Sequence, residues 1–221
     1  MIKRFFVIVA LVAFLPVAVN AQQKRPITPR DLYRLRVASD IAVSPDGKSV
    51  VFVQTSIDSA GNRYVRDLWV AASDGTAKRR LTWTPQSSEG SPAFSPDGKS
   101  IAFVAKREGD ERAAEIYVLP FSEPGEARRV TSIARGVSAP VWSPDGKRLA
   151  FTVSDSVRTD STRSDPRVVT RIAYVGEQAL NDERWGNVYV VDAWKENAVA
   201  QRVTRGDFGH NGPSWTSDSR S

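Results

Sequence analysis

The phrase SPDGK occurs three times, at Ser44–Lys48, Ser95–Lys99 and Ser143–Lys147, and returns in degenerate form as TSDSR at Thr216–Arg220. No other feature restricts the fold of this chain so strongly. Serine suits the first position of a type I turn, proline the second, and glycine the fourth, where a left-handed backbone costs it little. A type I turn followed by a left-handed glycine is a common hairpin loop. Before the turns stand SPAF (91–94) and APVW (139–142), and after them SVVFVQT (49–55), SIAFVAK (100–106) and RLAFTVS (148–154). These flanks are rich in β-branched and aromatic residues, so each turn is expected to join two strands.

Two further phrases recur in each unit. DLWV (67–70), EIYV (115–118) and NVYV (187–190) predict a third strand, and RLT (80–82), RVT (129–131) and RVT (202–204) a fourth. The turn serine and the third-strand aromatic are 25 and 22 residues apart in the first two units and 46 apart in the third. Near-constant spacing with one outlier describes a fixed supersecondary unit carrying one insertion. Four antiparallel strands in a unit of about 45 residues make a β-propeller blade. The second strands are almost wholly apolar rather than alternating, as expected of a blade covered by a neighbour on both faces. A β-sandwich could use similar hairpins; the regular repeat favours the propeller. The recurring Trp69, Tyr117 and Tyr189 are therefore expected in the core.

The first residues lie outside this pattern. A cationic start (Lys3, Arg4) precedes an apolar run from Phe5 to Val19 and a Val19-Asn20-Ala21 cleavage pattern. That is the grammar of a secretory signal, with cleavage expected after Ala21. Pro16 interrupts the run, which is shorter than the ~20 residues of a spanning helix. Export to the periplasm or extracellular space is expected, with no membrane anchor after cleavage. The chain has no cysteine, so neither a disulfide framework nor a thiolate metal site is available. Removing Lys3 and Arg4 lowers the formal charge from +6 to +4. So mild and interspersed a charge does not point to nucleic acid.

The expected organisation is a signal peptide at 1–21, a lead-in segment with a short helix at 22–40, and an all-β, incomplete propeller at 41–221. Blades are expected at roughly 41–82, 91–131 and 139–204, with the start of a fourth at 213–221 and an insertion at roughly 154–180 of the third. In ITPRDLYRLRVAS (27–39), Thr28 can cap a helix, Pro29 takes its first position and Asp31 completes a capping box. Leu32 with Leu35, and Tyr33 with Val37, give an apolar face. Propellers close with about four to eight blades. Three blades and a fragment leave open edges, so the sequence reads as the N-terminal portion of a longer protein.

ITPRDLYRLRVASDIAVSPDGKSVVFV (27–53), RDLWVAASDG (66–75), RRLTWTP (79–85) and the excursion RVVTRIAYVGEQALNDERWGNVYVVD (167–192) resemble the N-terminal part of prolyl oligopeptidase-family serine peptidases. The similar branch is the acylaminoacyl-peptidase and dipeptidyl-aminopeptidase-like one. SPDGK alone is shared with TolB-like envelope propellers; the lead-in helix and the insertion discriminate better. The resemblance implies a propeller that caps a C-terminal α/β-hydrolase domain and limits access to short peptides or acylated peptide ends. That domain carries a Ser-Asp-His triad, with serine on a G-x-S-x-G elbow, and it is missing from this sequence. GVSAP (136–140) is the nearest approach, with Pro140 in place of the last glycine, and His210 is the only histidine. No catalytic residue carries over, and this chain alone is expected to be inactive. The alternative class is a non-enzymatic TolB-like propeller that binds a protein or peptide.

The remaining phrases have plain structural readings. AFSPDGKS (93–100) ends like a phosphate loop, but Ala93 replaces its first glycine, Pro96 removes an N–H, and a strand follows. RGD (205–207) falls in a Gly-rich interblade turn. SDSVRTDSTRSDP (154–166) spaces three aspartates without the glycine or terminal glutamate of a calcium loop. No cofactor or metal ligand set is expected, and His210 reads as a loop residue. Arg171, Glu177, Asp182 and Arg184, in or beside the insertion, are the candidate residues for substrate gating or domain contact.

Overall fold

The computed structural model describes residues 26–84, 88–107, 113–155, 185–205 and 209–219. A short 3-10 helix, Pro29–Arg34, precedes the strands. The Asp31 carboxylate accepts from the Thr28 amide at 2.8 Å and the Thr28 hydroxyl at 2.9 Å, closing the capping box expected from the sequence. The expected apolar helix face is not covered: Leu32, Tyr33 and Leu35 are exposed, and Val37 already belongs to the first strand. The helix ends at Arg34, with Leu35 already extended, so Leu35 and Val37 lie beyond it and the paired face is not completed.

Three antiparallel meanders follow. The first comprises β1 (Val37–Val43), β2 (Ser49–Asp58), β3 (Arg63–Ala72) and β4 (Arg79–Arg80). The second comprises β5 (Ser88–Phe94), β6 (Ser100–Lys106), β7 (Glu115–Pro120) and β8 (Arg128–Arg129). The third comprises β9 (Val141–Trp142), β10 (Arg148–Asp155), β11 (Trp185–Asp192) and β12 (Gln201–Arg202). Strands one to four of each unit pair in order, which makes each a propeller blade. A single parallel bridge, Arg66 with Ser88, joins the first two blades into one sheet. β1 and β5 begin a few residues ahead of the starts at 41 and 91 expected from the turns.

The second strands of blades 2 and 3 are buried on both faces, as their composition requires, whereas Val50 and Phe52 on one face of β2 are only half-buried. Ile101, Ala102 and Phe103 are consecutive and fully buried. Val53 and Leu68 of blade 1 pack with Phe103 and Tyr117 of blade 2, and Ile116 and Val118 of blade 2 with Leu149, Phe151 and Val191 of blade 3. Fully burying one such side chain is worth about 1.5–3 kcal/mol, so the interblade faces carry the stability. Tyr117 is buried and stacks on Phe103 at 5.8 Å between ring centroids. Trp69 and Tyr189, expected in the core, are only half-buried. Lys78 lies over the Trp69 ring at 4.7 Å, a cation–π cover in place of a packed neighbour.

Each SPDGK turn is held by the same bonds. In the second, the Ser95 hydroxyl donates to Asp97 Oδ1 at 2.6 Å and accepts from the Ser100 amide at 3.0 Å, while the Lys99 amide donates to Asp97 Oδ1 at 3.0 Å. Gly47, Gly98 and Gly146 take φ of +71°, +70° and +69°. In TSDSR the Thr216 hydroxyl donates to Asp218 at 2.5 Å, and Ser219 occupies the glycine position at φ +59°. The preceding PSW (213–215), expected as a first strand, has no ladder partner among the described residues. It is seated instead by the Trp215 Nε1–H bond to the Val141 carbonyl, 3.0 Å.

The turn hydroxyls set the charge of the rim. Bonds from Ser95, then from the Lys99 amide, hold the Asp97 carboxyl below its ordinary pKa, and Asp46 and Asp145 are lowered in the same way. Ser95→Ala is expected to move the Asp97 pKa up toward the ordinary value in an NMR carboxyl titration. A carboxylate lowered by folding stabilises the fold above its unfolded pKa, and that stability is lost as pH falls through the folded value. The deficit of the variant should therefore shrink on acidification through the carboxylate range. An Asp97 titration identical to wild type would count against the assignment.

Candidate functional site

The meander sends its connections to two opposite rims. The SPDGK turns and the links from third to fourth strand share one rim. The links from second to third strand and from blade to blade share the other. Asp155 and Trp185 are register partners at the far end of β10 and β11, so the third-blade excursion leaves and rejoins the sheet at the second rim. Arg171, Glu177, Asp182 and Arg184, the candidate gating residues, lie outside the described residues. So do Gly206 and Asp207 of RGD and the aspartate-rich stretch beyond Asp155.

The described residues toward the second rim form polar bridges. The first strands of blades 1 and 2 are bulged, between Ser39 and Ala42 and between Gly90 and Ala93. In the bulges Asp40 and Ser91 take left-handed φ of +48° and +51°. Asp40 Oδ2 accepts from Arg66 Nη2 at 3.0 Å and from the Ser91 amide at 3.2 Å, tying the two blades together. At the equivalent position the third blade has Ala139 and the fourth begins with Gly212. An acid at one blade only is the sequence signal by which this bridge could have been found; a search for shared residues passes over it.

Two buried glutamates, also missed by the sequence reading, lie nearby. Glu89 is fully buried; its Oε2 accepts from the Thr82 hydroxyl and from the Leu68 amide, at 3.2 Å for the latter, across the junction of blades 2 and 1. Glu115 accepts from the Thr131 hydroxyl and from the Ile133 amide, the latter at 2.6 Å. The closing threonines repeat one role: Thr82, Thr131 and Thr204 accept from the amides of Leu68, Ile116 and Val188 at 3.0, 2.9 and 3.0 Å. Their partners Glu89, Glu115 and Asn187 are buried, so these groups brace the blades and are closed to a substrate.

Serine and histidine have equally structural places. Ser138 of GVSAP exchanges backbone bonds with β10: its hydroxyl accepts from the Thr152 amide at 2.9 Å and its amide donates to the Thr152 carbonyl at 2.8 Å. The His210 amide donates to the Gly186 carbonyl at 2.6 Å, and its Nε2 lies 3.3 Å from the Arg205 carbonyl. His210 stands as far ahead of its turn as Glu89 does of the SPDGK turn that follows it, an interblade position. The stretch from Ala93 to Ser100 is a hairpin, with the Ser95 amide donating to the Ser100 carbonyl at 2.8 Å, and not a phosphate loop. The arrangement can hold blades together and present loops; acyl transfer needs a serine, a base and an orienting acid in mutual reach.

A groove of about 660 Å³ runs along the junction of blades 2 and 3. One wall is the segment Arg129–Arg135 that leaves blade 2, the other is Asn197–Ala200, and Tyr189 lies between them. A separate, smaller cavity of about 350 Å³ lies between Arg79 and Leu81 of blade 1 and the segment from Leu119 to Gly125 of blade 2. There Phe121 stands where blade 3 has Ala193, and packs edge-on against Phe94 at 5.1 Å.

The comparisons with known proteins agree with this architecture. The family model described as TolB beta propeller domain matches residues 36–171. An uncharacterised peptidase of Bacillus subtilis, YuxL, is 28% identical over 89% of this chain, which spans 30% of that protein. Dipeptidyl-peptidase 5 of Porphyromonas gingivalis is 36% identical over 38% of this chain and 12% of its own length. The acylaminoacyl peptidase of Pyrococcus horikoshii superposes with a TM-score of 0.58 at 19% identity, over 78% of this chain and 26% of that one. The chain thus spans less than a third of each of these relatives, and at 19% identity the superposition shows the fold alone.

Proposed function

This chain belongs to the TolB beta propeller domain family, and from that premise we propose that it is the N-terminal propeller portion of an exported serine peptidase. The peptidase would hydrolyse short peptides or acylated peptide ends by acyl transfer to water, in an α/β-hydrolase domain outside this chain. One observation carries the reading: a chain of propeller blades is similar over 89% of its length to a peptidase of which it spans only 30%. The proposed division of the chain is the one read from its sequence: a signal peptide at 1–21, a lead-in segment at 22–40 and the propeller from 41 onward. No helix among the described residues is long and apolar enough to cross a membrane, and export rests on the leading segment of the sequence.

The propeller's role in this reading is to restrict access to the hydrolase. The third-blade insertion, with Arg171, Glu177, Asp182 and Arg184, is the proposed gating or domain-contact element, and peptide is the proposed substrate. The test is to label the native polypeptide in its source with a serine-hydrolase active-site probe and detect it through a peptide from residues 30–150. A labelled species several hundred residues longer than this chain is expected. An unlabelled one supports the second reading, a TolB-like envelope propeller that binds a protein or peptide, with which the family match is equally consistent. In the labelled enzyme, reversing the charges of Arg171 and Glu177 should alter substrate preference; unchanged preference and rate would remove the gating role.

A further inference from the structure

We propose that the cleft between the second and third SPDGK turns binds a neutral sugar unit of an oligosaccharide, on the rim opposite the third-blade excursion and independent of any peptidase activity. The cleft has a volume of about 470 Å³ and is lined by Pro96 and Asp97 of one turn, Pro144, Asp145 and Lys147 of the next, and Trp194. Three observations carry the proposal. The first is a fixed, open indole. Trp194 is 51% exposed, yet its Nε1–H donates to the Gly146 carbonyl at 2.8 Å and its ring packs on the buried Trp142 ring at 5.8 Å between centroids. A ring already held in place binds without the cost of ordering it. The second is that the blade design does not call for this residue. Asp192 pairs with Arg148 as Pro120 does with Ser100 and Ala72 with Ser49, so Trp194 stands where the earlier blades have Ser122 and Asp74, both exposed. The third is the polar set beside the indole. Asp97 and Asp145 each use Oδ1 on their own turn, and Oδ2 of each has no hydrogen bond among the described residues.

The mixture of charges selects the class of ligand. A cation over the Trp194 ring would meet Lys147, and an anion would meet Asp97 and Asp145; like charges brought together oppose binding. A sugar is neutral, and its hydroxyls donate to carboxylates and accept from an ammonium group. Its ring also offers a patch of weakly positive C–H groups, which suits the negative face of an indole. The two proline rings supply apolar walls beside that face. Bonds from the turn serines hold the Asp97 and Asp145 carboxyls below their ordinary pKa, so both are acceptors at neutral pH. The cleft keeps its shape because the turns that form it adjoin: a Cβ at Gly146 would stand 3.7 Å from Pro96 Cδ.

The test uses the full chain and three neutral oligosaccharides, maltotriose, cellotriose and the trimer of N-acetylglucosamine, read by saturation-transfer NMR. At least one is expected to show saturable transfer. Trp194→Ala should weaken that binding about tenfold or more, and Trp194→Phe much less. Asp97→Asn with Asp145→Asn should weaken it severalfold, because an amide oxygen still accepts the turn bonds but is a poorer acceptor for a hydroxyl. A Trp194 that served only to cover Trp142 would not produce this second loss. Trp83→Ala removes an indole that is 76% exposed elsewhere on the surface and should leave binding unchanged. Binding is compared at a temperature where thermal melts show every variant folded. Saturable binding of none of the three sugars, or binding unchanged in Trp194→Ala, would overturn the proposal. So would tighter binding of Nα-acetyl-lysine methylamide in competition with the sugar, which would make the cleft a cation site.

Discussion

Trp142→Ala is expected to cost about 3–5 kcal/mol of unfolding free energy, the range for truncating a large buried aromatic. Trp142 is 7% exposed. Its ring packs into the apolar cluster shared by blades 2 and 3, at 5.8 Å from the Trp194 ring. Its Nε1–H donates to the Ala93 carbonyl in the first strand of the preceding blade at 3.1 Å. The residue thus works as packing and as a polar latch between blades, and two variants separate the roles. Trp142→Phe keeps most of the packing and frees the carbonyl, a loss of about 1 kcal/mol for one hydrogen bond. Trp215→Ala removes the equivalent donor, 3.0 Å from the Val141 carbonyl, at a half-buried site and should cost clearly less than Trp142→Ala. At about 2–4 °C per kcal/mol for a chain of this size, Trp142→Ala should lower Tm by roughly 6–20 °C. Equal losses for Trp142→Ala and Trp215→Ala would mean that the ring is not the keystone its burial implies.

What rests on local chemistry was legible in this sequence, and what rests on partners distant in the chain was not. The turn phrase predicted three hairpins because serine, proline, aspartate and glycine each have a separate local job, and local chemistry does not depend on distant partners. The RLT and RVT phrases marked the fourth strands, although their threonines proved to be the more informative residues: they bind third-strand amides, a role visible only when the two strands are side by side. The Asp40 bridge to Arg66 and Ser91 joins residues far apart in sequence, at a position where the other blades carry Ser91, Ala139 and Gly212. The lead-in helix was predicted with its cap and an apolar face, but it stops at Arg34, so Leu35 and Val37 fall outside it.

The second large effect belongs to a residue that the sequence offers only as the end of a strand phrase. Thr131→Val, an isosteric change, is expected to cost about 2–4 kcal/mol, because it strips two buried groups of a partner at once. The Thr131 hydroxyl accepts from the Ile116 amide at 2.9 Å and donates to Glu115. Thr131 and Glu115 are 2% and 1% exposed, so water cannot replace either bond without opening the blade. Glu115 keeps the Ile133 amide at 2.6 Å, which fixes the segment leaving blade 2 and hence one wall of the groove. Thr204→Val is the internal control. Its hydroxyl accepts from the Val188 amide at 3.0 Å and its other partner is the neutral Asn187 at 3.1 Å, at a site only half-buried, so about 1 kcal/mol is expected. The cause of the difference is the buried carboxylate. Adding Glu115→Gln to Thr131→Val should recover part of the loss, whereas Glu115→Gln alone should destabilise. Such opposite signs in a double-mutant cycle followed by chemical denaturation are what coupling through one hydrogen bond predicts. If the two changes simply add, or if Thr131→Val is as mild as Thr204→Val, the threonine fills space and the charge of its partner plays no part.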